Sequence, residues 1–376
     1  MTSTGTLART PTGTMRRAVI TGPQRIVLEQ VPIPQVGPRQ VLVRMRASAL
    51  CTWEQRTFAG IDTWSYPLVG GHEYSGVIEA IGPEVLIDAK VGDQVSVSGL
   101  KRCGQCYSCR RGMDNLCDNA KSHRIPDQPW GPGGFGEYVM AEGHMVYKVG
   151  PVASHVEAAL TEPLSCVLHD MKRYPVGTGD VVVIVGAGIM GLLHLVMARR
   201  TPSFVIVSEP ERTRREKALE LGADAVIDPA SEDYAARVNE LSGGRGANVT
   251  YVTIGSPPAI EAAVAGAAKR GIVSLYASVH PRTATITLDP NTFHYREVTV
   301  SGSVAQERDD FLAAAELVGR REIDLRPLIS RTFPLSRLAD AFEAALQKNA
   351  YRVLVQPDAE YRQEHEQRGD TAANRS

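Results

Sequence analysis

Four cysteines stand close together in the chain as Cys103-x2-Cys106-x2-Cys109-x7-Cys117. Two-residue gaps let neighbouring thiolates turn back onto one ion, and the fourth closes a tetrahedron. Four sulfurs leave no open coordination position, so this pattern predicts a structural zinc that pins a lobe and does no chemistry. Arg102, Arg110 and Arg111 flank the cluster, where their charge would offset a net negative zinc-thiolate centre. A four-thiolate iron-sulfur cluster and unmetallated thiols are the competing readings.

A second pattern is the run Val181 to Val185 followed by Gly186-Ala187-Gly188-Ile189-Met190-Gly191. A G-x-G-x-x-G by itself is weak evidence. Here it follows an apolar strand and opens a helix, which is the context of a dinucleotide turn. Gly186 allows the tight turn, Gly188 lets the backbone approach a pyrophosphate, and Gly191 permits close helix–sheet packing. Ile189 and Met190 begin the helix, whose N-terminal N–H groups would face the phosphates. Glu209 lies eighteen residues beyond Gly191. A carboxylate there accepts hydrogen bonds from ribose hydroxyls and repels a 2′-phosphate, which favours NAD over NADP. Arg212, Arg214 and Arg215 follow closely, and a guanidinium can hold a 2′-phosphate, so NADP stays open as the less favoured cofactor. The competing reading is a glycine-rich turn that binds nothing.

The third constellation is scattered: Cys51, the tripeptide Gly71-His72-Glu73, and Thr161-Glu162-Pro163-Leu164. Singly these are unremarkable, since a lone cysteine is usually a small buried hydrophobe. Beside a structural zinc lobe and a dinucleotide turn they become candidate ligands of a second, open zinc. One thiolate, one imidazole and one or two carboxylates leave room for a substrate oxygen. Such a metal is a Lewis acid that makes an alcohol acidic enough for hydride to leave its carbon for a nicotinamide.

The elements that must hold these residues are legible around them. The chain has 376 residues, a length that predicts two or three domains. Its net charge of -1 gives no overall basic field for nucleic acid or an anionic membrane, and 6% aromatic residues argue against a base-stacking platform. The start of the chain lacks the apolar core of a secretory signal. Val181 to Ala198 carries no charge, but its β-branched half, its glycines and His194 fit a buried strand and helix better than a membrane span. A cytoplasmic location follows, where a cysteine cluster means metal or redox chemistry and not disulfides. Up to about residue 150 the chain reads as short strands between Gly and Pro. After Pro151, strand and helix alternate, which predicts a parallel, doubly wound sheet. Arg352 to Gln356 closes the chain as a strand returning to the first domain.

Taken in order, Cys51, Gly-His-Glu, the four-cysteine lobe, Glu-Pro-Leu and the glycine fingerprint resemble the zinc-containing medium-chain dehydrogenase/reductases. The likeness is to the polyol (sorbitol) and threonine dehydrogenase branch and covers Met15 to Gln356. It implies an α/β fold: a GroES-like, β-rich catalytic domain from 15–160 and 301–356, with its zinc lobe near 100–120. A Rossmann domain at 161–300 is inserted between them, with flexible ends at 1–14 and 357–376. It also implies two zincs per chain. Cys51, His72, Glu73 and Glu162 would hold the catalytic ion, Glu73 directly or as a close carboxylate and Glu162 directly or through water. Ser256, Ala277 and Ser278 would contact the nicotinamide half. The implied assembly is a homodimer or homotetramer formed along the strands near Ile272 to Ser278 and Thr299 to Ser303.

One departure bears on the chemistry. The family carries Ser or Thr two residues after the first cysteine ligand, and often His five residues after it, to relay the alcohol proton. Here those positions are Trp53 and Arg56. Thr52 or Glu54 would then take over the relay, or Glu73 or Glu162 would act as base; a different reaction is the third possibility. Trp53 doubles as pocket wall that could stack on a sugar or cyclitol ring, with Arg56 and Trp64 beside it in the substrate pocket. The expected substrate is a small hydroxylated molecule with a secondary hydroxyl: a polyol, cyclitol or sugar derivative. An amino alcohol or secondary-metabolite intermediate, with Arg56 pairing with an anionic group of the substrate, is the alternative. A dinucleotide-binding protein without turnover is the reading of a different class.

Overall fold

The computed structural model describes residues 11–61, 66–120 and 129–358. Trp64 and most of the two expected flexible ends lie outside them. Along the chain come β1 (Thr14–Gly22), β2 (Arg25–Pro32), β3 (Gln40–Ala49), α1 (Thr52–Phe58), β4 (Glu73–Ile81) and β5 (Gln94–Val97). Then follow α2 (Tyr107–Arg110), β6 (Tyr138–Glu142), β7 (Val146–Lys148), α3 (His155–Ala159) and α4 (Thr161–Arg173). The alternating stretch runs β8 (Val181–Val185), α5 (Ile189–Ala198), β9 (Phe204–Ser208), α6 (Arg212–Glu220), β10 (Ala225–Ile227) and α7 (Tyr234–Leu241). It continues with β11 (Ala247–Val252), α8 (Pro257–Ala265), β12 (Ala267–Leu275), α9 (Pro290–Arg296) and β13 (Thr299–Gly302). The chain closes with α10 (Arg308–Gly319), β14 (Ile329–Pro334), α11 (Leu338–Ala345) and β15 (Arg352–Gln356).

Two compact units result, one formed by Met1–Pro163 with Glu307–Ser376 and the other by Leu164–Gln306. The first is the β-rich unit. Its main sheet has the order β14-β15-β3-β4-β5-β7, with β6 added on β3, beside a separate β1-β2 hairpin. The alternation of buried and half-buried residues along β4 suits a sheet with one face in the core. The last strand, β15, pairs with β3 through Leu354 opposite Ala49, so β15 lies next to the strand that leads into Cys51.

The ends are tied down further than the sequence suggests. Thr14 already pairs with Pro32. Past the last strand, Asp358 accepts hydrogen bonds from Arg16 at 2.8 Å and from the Ser336 N–H at 3.1 Å. Ion pairing, not apolar burial, fixes that segment, which is why hydropathy gave no sign of it.

The second unit is a parallel sheet of order β10-β9-β8-β11-β12-β13. Numbered within the unit this is 3-2-1-4-5-6, the doubly wound order. Central β8 is five buried Val and Ile residues, as expected for a strand covered on both faces. The expected association strands are adjacent here, with β12 next to the edge and β13 on it. The unit continues to Gln306, beyond the residue-300 boundary read from the sequence, because β13 belongs to its sheet.

Candidate active site

Cys51 ends the connection from β3 and stands as the N-cap of α1, so its thiol is held at a helix start. Three residues on, Glu54 is fully buried. Its Oε2 accepts the Cys51 N–H at 3.1 Å, and its Oε1 accepts the Gly71 N–H at 3.1 Å. The same Oε1 lies 2.6 Å from His72 Nδ1. One carboxylate therefore joins the loop carrying the thiol to the loop carrying the imidazole. Gly71 has φ +83°, and a Cβ there would press on Ser48 and Phe135, so glycine is required just before His72.

Glu73 begins β4 and is completely buried. Its Oε1 is paired with Arg352 of β15, a guanidinium itself 2% exposed that also donates to the Leu50 carbonyl at 3.3 Å. The second oxygen of Glu73 is buried with no hydrogen-bond partner. Glu162, in the first turn of α4, is buried as well. Ligand atoms of His72, Glu73 and Glu162 lie within 4.8 Å of one another, as do those of Cys51, Glu54 and His72.

An orphaned carboxylate oxygen in a dry site is costly unless a cation completes it. The set Cys51, His72, Glu73 and Glu162 therefore fits a zinc ion, with Nδ1 of His72 held by Glu54 and Nε2 left for the metal. Burial, then the charge of Glu73, pushes the Cys51 thiol up. Burial alone would lower His72, but the Glu54 carboxylate and Cys51 outweigh it and hold the imidazole well above its ordinary value. A cation entering this cluster displaces protons that the ligands otherwise hold.

The expected site residues are not all equivalent. Glu54, a candidate for the proton relay, has both oxygens engaged and so holds His72. Thr52 is exposed at the first position of α1. Trp53 lies edge-on to His72, with ring centroids 5.7 Å apart, and Arg56 sits in the last turn of the same helix. Arg352 was missed; its only sign was a cation opening an otherwise apolar strand. Trp130 was missed too, being one aromatic in a Gly- and Pro-rich loop. Its ring centroid lies 6.3 Å from that of Trp53.

The sulfurs of Cys103, Cys106, Cys109 and Cys117 come within 4.8 Å of one another. Main-chain N–H groups of Gln105 and Cys106, at 3.4 and 3.3 Å, point at Cys103 Sγ, and the Cys103 N–H points at Cys117 Sγ. The Asn119 side chain, followed by those amides, lowers the Cys103 thiol to about 6. Amide donors around four convergent sulfurs fit a closed tetrahedral zinc. Of the flanking arginines, Arg102 pairs with Asp114 at 3.2 Å, and Arg308 pairs with the same carboxylate at 2.7 Å.

In the second unit, Gly186 has φ +101° and hands the chain from β8 to α5. At Gly191 a Cβ would run into the Gly186 carbonyl, so helix and turn touch backbone to backbone. Gly188 caps α5, leaving the N–H groups of Ile189 and Met190 at its mouth. Glu209 follows β9, 5% exposed; it accepts the Ala187 N–H at 2.8 Å and the Glu211 N–H at 3.0 Å. A Cβ on Gly188 would lie 3.8 Å from Arg214 Nη1, so that guanidinium overhangs the glycine turn. Arg215 is turned away to the Glu209 and Pro210 carbonyls and Asp228. Ser256 caps α8 after β11, and Ala277 and Ser278 follow β12, with the Ala277 N–H bonded to the Val252 carbonyl at 3.2 Å. These residues fit the cradle of a dinucleotide at the carboxyl ends of the strands.

Comparison with known proteins agrees with both units. Residues 37–151 match the alcohol dehydrogenase GroES-like domain, and residues 189–320 match the zinc-binding dehydrogenase family. The chain is 33% identical over 311 residues to the 2-dehydro-3-deoxy-L-galactonate 5-dehydrogenase of Pseudoalteromonas atlantica, covering 82% of this chain and 88% of the relative. It is 28% identical over 362 residues to the D-arabitol-phosphate dehydrogenase of Enterococcus avium, covering 94% and 99%. A crystal structure of a zinc-binding dehydrogenase from Sinorhizobium meliloti 1021 bound to NADP superposes with a TM-score of 0.84 at 27% identity, covering 92% of this chain and 100% of that one. On these family matches and relatives, the chain belongs to the zinc-containing medium-chain dehydrogenases, on their polyol and threonine dehydrogenase-like branch, and is an oxidoreductase acting on CH–OH groups.

Proposed function

We propose that this enzyme transfers a hydride between NAD and a secondary hydroxyl of a polyol, cyclitol or sugar derivative. The observation that carries the reading is the pair of clusters Cys51-Glu54-His72 and His72-Glu73-Glu162, which share His72 and in which one buried carboxylate oxygen of Glu73 has no partner. When bound, the catalytic zinc supplies Lewis acidity toward the alcohol, and NAD supplies the hydride acceptor. Two relatives that act on sugar acids or polyol phosphates support the hydroxylated substrate.

The roles of the chain's own residues follow from their contacts. Glu54 fixes the tautomer and direction of His72. Arg352 balances the buried charge of Glu73. Glu162, buried beside His72 and Glu73, would take the alcohol proton, and Thr52, exposed one residue from Cys51, would pass it to solvent. In the second unit, Glu209 and the helix start at Gly188 to Gly191 hold the adenosine ribose and pyrophosphate, with Ser256, Ala277 and Ser278 toward the nicotinamide. Among the described residues no helix is long and apolar enough to cross a membrane. We place the enzyme in the cytoplasm as a homodimer or homotetramer associating along β13.

The test is NADH formation by the zinc-loaded protein on a panel of polyols, cyclitols and sugars, with NADP in parallel and Glu162→Ala as control. Turnover with NAD, two zincs per chain and loss of activity in the variant are the expected results. No turnover on any alcohol with both zincs present would overturn the reading.

A further inference from the structure

We infer that Trp53 and Trp130 form an aromatic corner beside the metal set that selects a ring-shaped polyhydroxylated substrate, a cyclitol or pyranose, over an open-chain polyol. The inference rests on the functional reading above and narrows it. Trp53 stands at 75° to the His72 imidazole, and Trp130 stands at 74° to Trp53, so three rings meet edge to face in sequence. Both indoles are half-buried, backed by the apolar cluster that contains Leu50, Phe58, Leu68 and Phe135.

Neither indole is on a loose loop. Trp53 belongs to α1, two residues after Cys51, and its carbonyl accepts the Thr57 hydroxyl at 2.9 Å. Trp130 is clamped by its main chain: its N–H donates to the Pro67 carbonyl at 3.2 Å, and its carbonyl accepts the Val69 N–H at 2.8 Å. The segment that holds Trp130 thus runs directly into Gly71 and His72. The spacing of the corner from the imidazole is set by backbone hydrogen bonds.

Two crossed indoles offer flat apolar surface with only an Nε1–H on each edge. A six-membered ring carries a preformed C–H face that covers such a surface while its equatorial hydroxyls point outward to polar groups. An open-chain polyol has no fixed C–H face and must lose several torsional freedoms to make one, which costs affinity. The step at the ring is the ordinary one. The ring carbon gives a hydride to NAD⁺, the hydroxyl gives its proton to the carboxylate base, and a ring ketone results.

The experiment uses the zinc-loaded full-length enzyme with NAD. It compares kcat/KM for myo-inositol and methyl glucopyranoside with that for sorbitol and xylitol, and includes benzyl alcohol. Quenching of tryptophan fluorescence by each compound without cofactor reports binding alone. The expected result is a preference for the cyclic compounds, with the cyclic-to-open ratio falling about tenfold in Trp130→Leu, mainly through KM. Trp130→Phe, which keeps a ring, should restore part of the ratio and also answers if the leucine variant does not fold. A preference for sorbitol or for benzyl alcohol, or a ratio indifferent to both substitutions, would overturn the aromatic corner while leaving the dehydrogenase reading intact. Silence on every alcohol would instead overturn the functional reading itself.

Discussion

Glu54 and His72 share a 2.6 Å hydrogen bond at the imidazole Nδ1, and the same carboxylate binds the main-chain N–H groups of Cys51 and Gly71. A residue three places into a short helix thereby sets the positions of two proposed metal ligands that lie twenty-one residues apart in the chain. Shortening it to alanine should release the imidazole. Zinc affinity or activity should fall about 10–100-fold in Glu54→Ala, with the four-cysteine site still filled. Metal analysis under mild chelation, read as zinc per chain, checks this. Two tightly held zincs in the variant would mean that the imidazole needs no such support.

The ion pair of Glu73 and Arg352 is buried on both sides, so removing the cation strands a carboxylate. Arg352→Met should lower stability by about 3–5 kcal/mol in the metal-free protein. Adding Glu73→Gln to that variant should recover part of the loss, since the uncompensated charge is then gone. Chemical denaturation of the two variants decides it; an equal loss in both would assign the cost to packing alone.

The two proposed zinc sites use separate ligand sets within the first unit, so they should empty independently. Cys109→Ser should reduce zinc from two toward about one per chain and lower thermal stability, because closed sites contribute folding energy directly. Cys51→Ala should also lose one zinc, but with activity and not stability bearing the loss. Paired metal counts and melting curves make the distinction, and loss of both ions in either variant would show that the sites are coupled.

How much of this was legible depended on distance along the chain. Cys103 to Cys117 and Gly186 to Gly191 announce themselves because their chemistry needs neighbouring residues at fixed spacing. Cys51, His72 and Glu162 were found only as an ordered set, since each alone resembles an ordinary residue. Arg352 could not be placed against Glu73, because their contact exists only once β15 has joined β3. Glu54 was visible as a carboxylate near the site, but its saturation by three donors is a property of the folded loops. Likewise the Glu209 carboxylate reads as a ribose acceptor, yet its hydrogen bonds to Ala187 and Glu211 depend on how the turn closes.

His155 gives an acid limb to stability. Burial first, then the charges of Arg46 and Arg44, lower this histidine from 6.5 to about 4, and its Nδ1 is buried without a partner. The folded protein thus resists a proton that the unfolded chain accepts. Stability is full above pH 6.5 and falls as pH drops from 6.5 toward 4, by about 3 kcal/mol. Replacing it with Gln should flatten that part of the profile. Denaturation midpoints of wild type and His155→Gln across this range test the sign, and parallel profiles would remove His155 as the cause.

The second unit contains a buried hydrogen-bonded chain that plays no part in the proposed chemistry. His194 Nδ1 lies 2.8 Å from the Met190 carbonyl, which can only accept, so that nitrogen carries a hydrogen. Its Nε2 lies 3.2 Å from Asp170 Oδ2, and the Ser274 hydroxyl donates to Asp170 Oδ1 at 2.5 Å. All three side chains are fully buried, on α4, α5 and β12, so the pair links two helices to the sheet. His194→Leu leaves the carboxylate with only the serine and should cost about 3–5 kcal/mol. Asp170→Leu should cost a similar amount. The double variant should cost less than the sum by about 0.5–3 kcal/mol, because each single change already abolishes the shared interaction. A denaturation cycle over the four proteins measures that coupling, and strict additivity would show that the two residues contribute separately, by packing alone.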